Sequence, residues 1–207
     1  MKIALFGTSA DPPTIAHQEI IRWLASQFDL VAVWAADNPY KAHGASLEQR
    51  SQMLELSIAE IEPPSLLQRG FANDRHVKVY RNLSSRRTFE SLATAREIWQ
   101  DSEFILTIGA DLIAQLPQWY RANELLTQVK LLIVPRTGNQ IQSADLQRLT
   151  DLGAQIAIAP LSTPIISSTA IRNSHSIHGM TPSVAKYIQQ HNLYSITYEP
   201  CDRATLK

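Results

Sequence analysis

The 207-residue chain predicts an α/β fold: a doubly wound parallel sheet in a single domain, with a small helical segment near its C-terminal end. Three observations carry that expectation. Short apolar runs alternate with stretches whose apolar residues recur every three or four positions, which is the rhythm of strands joined by crossover helices. Residues suited to turns and to binding phosphate gather where two of the apolar runs end. No Pro/Gly-rich linker, low-complexity tract or internal repeat divides the sequence.

The predicted strands are Lys2–Phe6, Leu30–Ala35, Val77–Tyr80, Phe104–Ile108, Val129–Val134 and Gln155–Ala159. Each is short and rich in aliphatic residues, as a strand covered on both faces must be. Behind the first run, Ile15, Ile20, Ile21 and Leu24 follow helical spacing, and Thr14 stands where a helix cap belongs. The segment Gly7-Thr-Ser-Ala-Asp-Pro-Pro-Thr-Ile-Ala-His17 thus closes a strand and opens a helix. Unpaired N–H groups and about half a positive charge at a helix start stabilise an anion without any lysine. His17, three residues past the cap, can point at the same anion. Taken alone, the segment is also an ordinary βα turn.

A second helix start follows Pro160 and Pro164 in Ile166-Ser-Ser-Thr-Ala-Ile-Arg172. One hydroxyl suffices for capping, so two of the three in Ser167, Ser168 and Thr169 are left for a ligand, with Arg172 one turn on as a cation. Alone, this too reads as a capped helix. The apolar Val184, Tyr187 and Ile188 place one more helix, Pro182–His191, against the domain beside that second grip. In a doubly wound sheet, ligands sit beyond the carboxyl ends of the strands. Gly7, the loop Asn38–His43, Gly109-Ala-Asp111 and Pro135-Arg136 all fall at such ends.

Nineteen basic and nineteen acidic residues leave zero formal charge, which argues against a main role in coating nucleic acid or an anionic membrane. The single Cys201 excludes an intrachain disulfide framework. No run approaches the roughly twenty apolar residues needed to span a bilayer, and the first residues lead into a strand rather than a leader, so the expected location is the cytoplasm. The expected domain covers residues 1–195, with 196–207 as a tail.

Together the two helix starts resemble the nucleotidylyltransferase superfamily, with its His/Thr-x-Gly-His and Ile-Ser-Ser/Thr-Thr-x-Ile-Arg signatures. Further segments narrow the resemblance to the bacterial nicotinate-nucleotide adenylyltransferases: Arg50–Ser57, Arg87-Thr-Phe-Glu-Ser-Leu92, Ile108-Gly-Ala-Asp111, Trp119-Tyr120 and Val184–Tyr194. Two positions depart from the family pattern. Thr14 replaces the usual first histidine, and Ala16 replaces a glycine that lets the nucleotide approach the helix backbone.

The resemblance implies a Rossmann-like fold and transfer of AMP from ATP to nicotinate mononucleotide, with Mg²⁺ carried on the polyphosphate. It implies His17, Thr14 and Arg172 as catalytic residues. Gly7, Thr8, Ser9, Asp111, Ser167 and Ser168 join them around ATP, with Asp111 on a ribose hydroxyl. Lys41, His43, Thr88, Trp119, Tyr120 and Arg136 face the mononucleotide: Trp119 lies flat on the pyridine ring, and backbone N–H groups near Thr88 and Tyr120 hold its carboxylate. Ordinary structural readings stand beside several of these, a solvated lysine at Lys41, a capping aspartate at Asp111 and a core tryptophan at Trp119. Trp23, Trp34 and Trp99 lie in apolar stretches and are expected to be packing residues. The partners are small molecules, and the family includes both monomers and homo-oligomers. Alternatives are a pantetheine-phosphate adenylyltransferase, whose Thr-x-Gly-His form matches Thr14, and a nucleotide-binding regulator without catalysis. An aminoacyl-tRNA synthetase fragment fits poorly, because Lys-Met-Ser-Lys-Ser and a basic surplus are both lacking.

Overall fold

A computed structural model describes residues 1–39, 41–61, 76–136, 140–161 and 163–195. The expected tail, 196–207, lies outside the described residues. Six strands form one parallel sheet: β1 (Lys2–Thr8), β2 (Leu30–Ala35), β3 (Val77–Val79), β4 (Glu103–Gly109), β5 (Lys130–Val134) and β6 (Gln155–Ile158). Their order is β3-β2-β1-β4-β5-β6, so the chain winds outward from β1 on one side and from β4 on the other. The order reverses between those two strands, the place beyond which sheets of this kind bind their ligands.

Alternation along the strands divides the core into two layers. Ile3, Leu5, Ala32, Trp34, Leu106, Leu131 and Ile133 face one side, where α3 (Thr88–Ile98), α4 (Ala122–Gln128) and α5 (Ser143–Asp151) contribute Leu92, Leu125 and Leu149. Ala4, Phe6, Val31, Val33, Ile105 and Leu132 face the other, under α1 (Ile15–Gln27) and α2 (Leu47–Ala59) with Ile21, Leu24, Leu54 and Ile58. The period-2 split explains why the strands read as continuous apolar runs: both faces are covered.

A third, smaller cluster joins α2 to the last two helices, α6 (Ser168–Ser174) and α7 (Pro182–Gln190), through Met53, Ile171, Met180, Val184 and Ile188. This is the small helical segment expected from the sequence. It bears on the loops beyond the strand ends. The tryptophans assigned to packing do pack: Trp34 is buried, Trp23 meets Phe28 edge-on, and Trp99 meets Tyr80 edge-on at 4.8 Å.

β1 runs two residues further than its apolar run suggests, because Gly7 and Thr8 keep parallel register with Trp34 and Ala35. Gly7 therefore lies inside the strand, and a Cβ there would sit 2.5 Å from the Trp34 indole. Its lack of a side chain is accounted for by sheet packing.

Candidate active site

Thr14 is the N-cap of α1, as its place in the sequence suggests, but its hydroxyl is fully buried and turned inward. The backbone N–H of Thr14 donates to His17 Nδ1 at 3.0 Å, and Thr14 Oγ1 lies 2.9 Å from the same nitrogen. A ring nitrogen that accepts from a backbone N–H carries no hydrogen, so the proton of the neutral ring is on Nε2. Nε2–H donates to Thr8 Oγ1 at 3.0 Å, at the end of β1. The expectation that the Thr14 hydroxyl reaches a phosphate is thus corrected: it orients His17. Burial of the imidazole, reinforced by the Arg136 guanidinium and opposed by the Asp111 carboxylate, pushes its pKa down to about 4.

Those neighbours show that the ends of β1, β4 and β5 converge. Asp111 follows β4 and Arg136 follows β5, and Arg136 Nη1 donates to Asp111 Oδ2 at 3.0 Å, with about a third of each side chain exposed. Lys41, beyond β2, reaches back to Ser9, with Nζ donating to Oγ at 3.2 Å. His17, Thr8, Ser9, Lys41, Asp111 and Arg136 thus gather at the carboxyl edge of the sheet.

The two motif segments, more than 150 residues apart, are bonded directly to one another. Ser168 Oγ donates to the Pro12 carbonyl at 2.7 Å, and Arg172 Nη1 donates to the Asp11 carbonyl. The first N–H of α1, at Ile15, donates to the Gly179 carbonyl at 2.8 Å. That N–H was expected to be available to an anion, and the C-terminal segment instead occupies it. The hydroxyl run is also more fully used than expected: Ser167 caps α6 by accepting from Ala170 N–H, and Thr169 Oγ1 lies 3.4 Å from Arg172. Arg172 remains partly exposed.

At the centre of the junction lies Asp11, 2% exposed. Its carboxylate accepts from the backbone N–H groups of Gly44 (2.9 Å) and Ala45 (3.1 Å) and from the Tyr194 hydroxyl (2.7 Å). His43 Nδ1 and Arg172 Nη1 each stand 3.6 Å away. His43 was expected to face the incoming phosphate. It faces Asp11 instead, its Nε2 is buried without a hydrogen-bond partner, and burial, followed by the Arg50 guanidinium, holds its pKa below the ordinary imidazole value.

On the other flank, Trp119 is half-buried against the core layer of α3 and α4, while the neighbouring Tyr120 is exposed. The Arg87 guanidinium lies 4.0 Å from the Tyr120 ring centroid, and Phe89 meets Tyr120 edge-on. Thr88, first residue of α3, sits between those two side chains in sequence, so the structure does bring Thr88 and Tyr120 into one neighbourhood.

Asp11 and Tyr194 carry no role in the sequence pattern, although Asp11 lies inside the first motif. Arg50 is a further omission: it is 1% exposed and donates to the Ser9 and Ala36 carbonyls, tying together the loops after β1 and β2. Its place at the head of the family-like segment Arg50–Ser57 is the sequence signal that pointed towards it.

The cytidylyltransferase-like family model matches residues 5–174. A probable nicotinate-nucleotide adenylyltransferase from Synechocystis sp. is 44% identical over 94% of this chain and 99% of its own length. One of the same description from Synechococcus sp. is 32% identical over 93% of this chain and 96% of its own. Among solved structures, Plasmodium falciparum nicotinic acid mononucleotide adenylyltransferase complexed with NaAD matches with a TM-score of 0.76 and 19% identity, over 96% of this chain and 99% of its own. That last likeness establishes the fold, and the curated relatives match the chain nearly end to end. The chain therefore belongs to the nicotinate-nucleotide adenylyltransferases of the cytidylyltransferase-like family.

Proposed function

We propose that this protein transfers the adenylyl group of ATP to nicotinate mononucleotide, forming deamido-NAD and pyrophosphate. The observation that carries the reading is the direct bonding of the β1–α1 turn to the α6 segment, through Ser168 to Pro12 and Arg172 to Asp11, which joins the segments that carry the two motifs. The 5′-phosphate oxygen of the mononucleotide attacks the α-phosphorus, and the bond from that phosphorus to the β-bridging oxygen breaks. Such a transfer asks the protein for position and charge stabilisation rather than a nucleophile.

His17 suits the α-phosphate as a neutral donor. An incoming oxygen takes the Nε2 hydrogen from Thr8, and Nδ1 stays locked by Thr14. Arg172, Ser167 and Ser168 hold the β- and γ-phosphates, Ser168 exchanging its bond to the Pro12 carbonyl for one to a phosphate oxygen. Lys41, on Ser9, and Arg136, beside His17, attract the two anionic substrates; Asp111, paired with Arg136, accepts a ribose hydroxyl. Trp119 offers its indole to the pyridine ring, and the backbone around Thr88 and Tyr120 binds the carboxylate. Uncharged donors select acid over amide because the amide NH₂ would face them.

Mg²⁺ belongs with the substrate in this reading. The described residues include no group of three or more carboxylates, histidines or cysteines that could cage a metal, and Asp11 is fully engaged. A cation carried on phosphate oxygens and water fits that donor set. No helix among the described residues is long and apolar enough to cross a membrane. We take residues 1–195 to act as one unit in the cytoplasm.

Neither alternative is favoured. The full-length relatives are nicotinate-nucleotide rather than pantetheine-phosphate enzymes. Ala16 is 5% exposed in the first turn of α1, a position at which an alanine is accommodated by the helix. The test is pyrophosphate release from ATP and Mg²⁺ with either mononucleotide. The acid is expected to turn over faster than the amide, and no release with either would refute the assignment.

A further inference from the structure

The last described residues before position 196 coil tightly: Asn192, Tyr194 and Ser195 have φ of 50°, 61° and 50°. Side-chain-bearing residues adopt this left-handed conformation uncommonly, asparagine more readily than tyrosine or serine. Two contacts hold Tyr194. His175 Nδ1–H donates to its carbonyl at 3.2 Å, and its hydroxyl donates to Asp11 Oδ1 at 2.7 Å. The ring fills the space left by the missing side chain of Gly44. A Cβ built there would lie 2.7 Å from Tyr194 Cδ1 and 3.6 Å from Arg172 Cδ.

The transfer reading gives Tyr194 no part, yet its hydroxyl ends on the carboxylate that bridges both phosphate motifs. We propose that Tyr194 is a positioning residue of the phosphate grip, its hydroxyl fixing Asp11 and, through Asp11, leaving the Arg172 guanidinium available to the triphosphate. The proposal rests on the functional reading above.

A buried carboxylate is stable only when its oxygens are satisfied. On Oδ1 the donors are the Ala45 N–H and Tyr194 O–H; on Oδ2 the Gly44 N–H, with Arg172 and His43 at the longer distance of 3.6 Å. Burial, together with the bond to Asp11, raises the pKa of the phenol, so it remains a donor at neutral pH. Because neutral donors satisfy both oxygens, Arg172 is held at ion-pair distance rather than in a forked bond. Loss of the hydroxyl leaves Oδ1 with the Ala45 N–H alone, and of the two groups that stand 3.6 Å from the neighbouring Oδ2, His43 and Arg172, the permanently charged guanidinium is the one drawn more strongly to the under-bonded carboxylate. A guanidinium drawn fully onto Asp11 is lost to the phosphates.

The test is Tyr194→Phe in the full chain, which removes the hydroxyl and keeps the ring. Calorimetric titration with MgATP is expected to show affinity weakened roughly five- to tenfold, the size of one charge-assisted bond withdrawn. The KM for the mononucleotide should change less than about twofold and the thermal midpoint by a few degrees. A purely structural tyrosine would instead lower the midpoint and the active fraction without separating the two substrates. Gly44→Ala, which displaces the ring with the hydroxyl still present, should weaken MgATP in the same way; it decides the matter if Tyr194→Phe does not fold. MgATP affinity equal to wild type in a folded variant overturns the proposal. A wild-type chain that binds MgATP without releasing pyrophosphate refutes the transfer reading alone, and the same titrations still decide on Tyr194.

Discussion

His17 enters the site as a neutral ring because the Thr14 N–H donates to one nitrogen and burial opposes charge on the whole. The unfolded imidazole titrates at 6.5 and the folded one at about 4, so between those values the unfolded chain binds a proton that the folded one refuses. Stability is unaffected by this group above pH 6.5 and falls as pH drops from there towards 4. Wild type should therefore lose stability relative to His17→Gln across that window, by at most about 3 kcal/mol, in urea unfolding at stepped pH. A difference that does not change with pH would contradict the neutral assignment. The local spacing of Thr14 and His17 was legible in the sequence, three residues apart at a cap. Which way the threonine hydroxyl turns was not, because it depends on the carbonyls and helices packed over it.

At the scale of elements, all six strands stand where the apolar runs lie, since a strand covered on both faces has to be apolar throughout. The ends were less legible: β1 continues through Gly7 and Thr8 because the neighbouring Trp34 and Ala35 offer register, and a partner strand is invisible to local pattern. The same holds for the start of α1, whose first N–H goes to Gly179, 164 positions along. Gly179 has φ +88°, and a Cβ there would lie 2.6 Å from Ile166 Cγ2. Gly179→Ala should cost about 1–3 kcal/mol in equilibrium unfolding, from left-handed strain plus the clash. An unchanged midpoint would show that this loop does not hold the helix start.

On the scale of the whole molecule, the sheet order turns separate segments into one site. β1 and β4 are neighbours, so the turn carrying His17 and the loop carrying Asp111 lie at the same edge of the sheet, and the C-terminal helices close over it through Asp11. Motif chemistry singled out His17, Arg172 and Asp111 as candidates for the site. It could not show Asp11, Arg50 or Tyr194 as the groups that bind the loops together, because their partners lie 14 to 183 positions away, a relation fixed only by the finished topology. The pyridine end makes a separate prediction. Trp119→Ala should raise the KM for the mononucleotide about tenfold or more while changing that for ATP little, consistent with the loss of one stacked ring. Equal effects on both substrates would place the tryptophan in the core alone.

The central claim is that two helix starts grip a single triphosphate, and steady-state pyrophosphate release by His17→Ala and Arg172→Ala tests it most directly. Each folded variant should lose at least about a hundredfold and tenfold, respectively, in kcat/KM for ATP, as expected when donors to a transferring polyphosphate are removed. Wild-type efficiency in either would mean that the two segments meet without sharing a ligand.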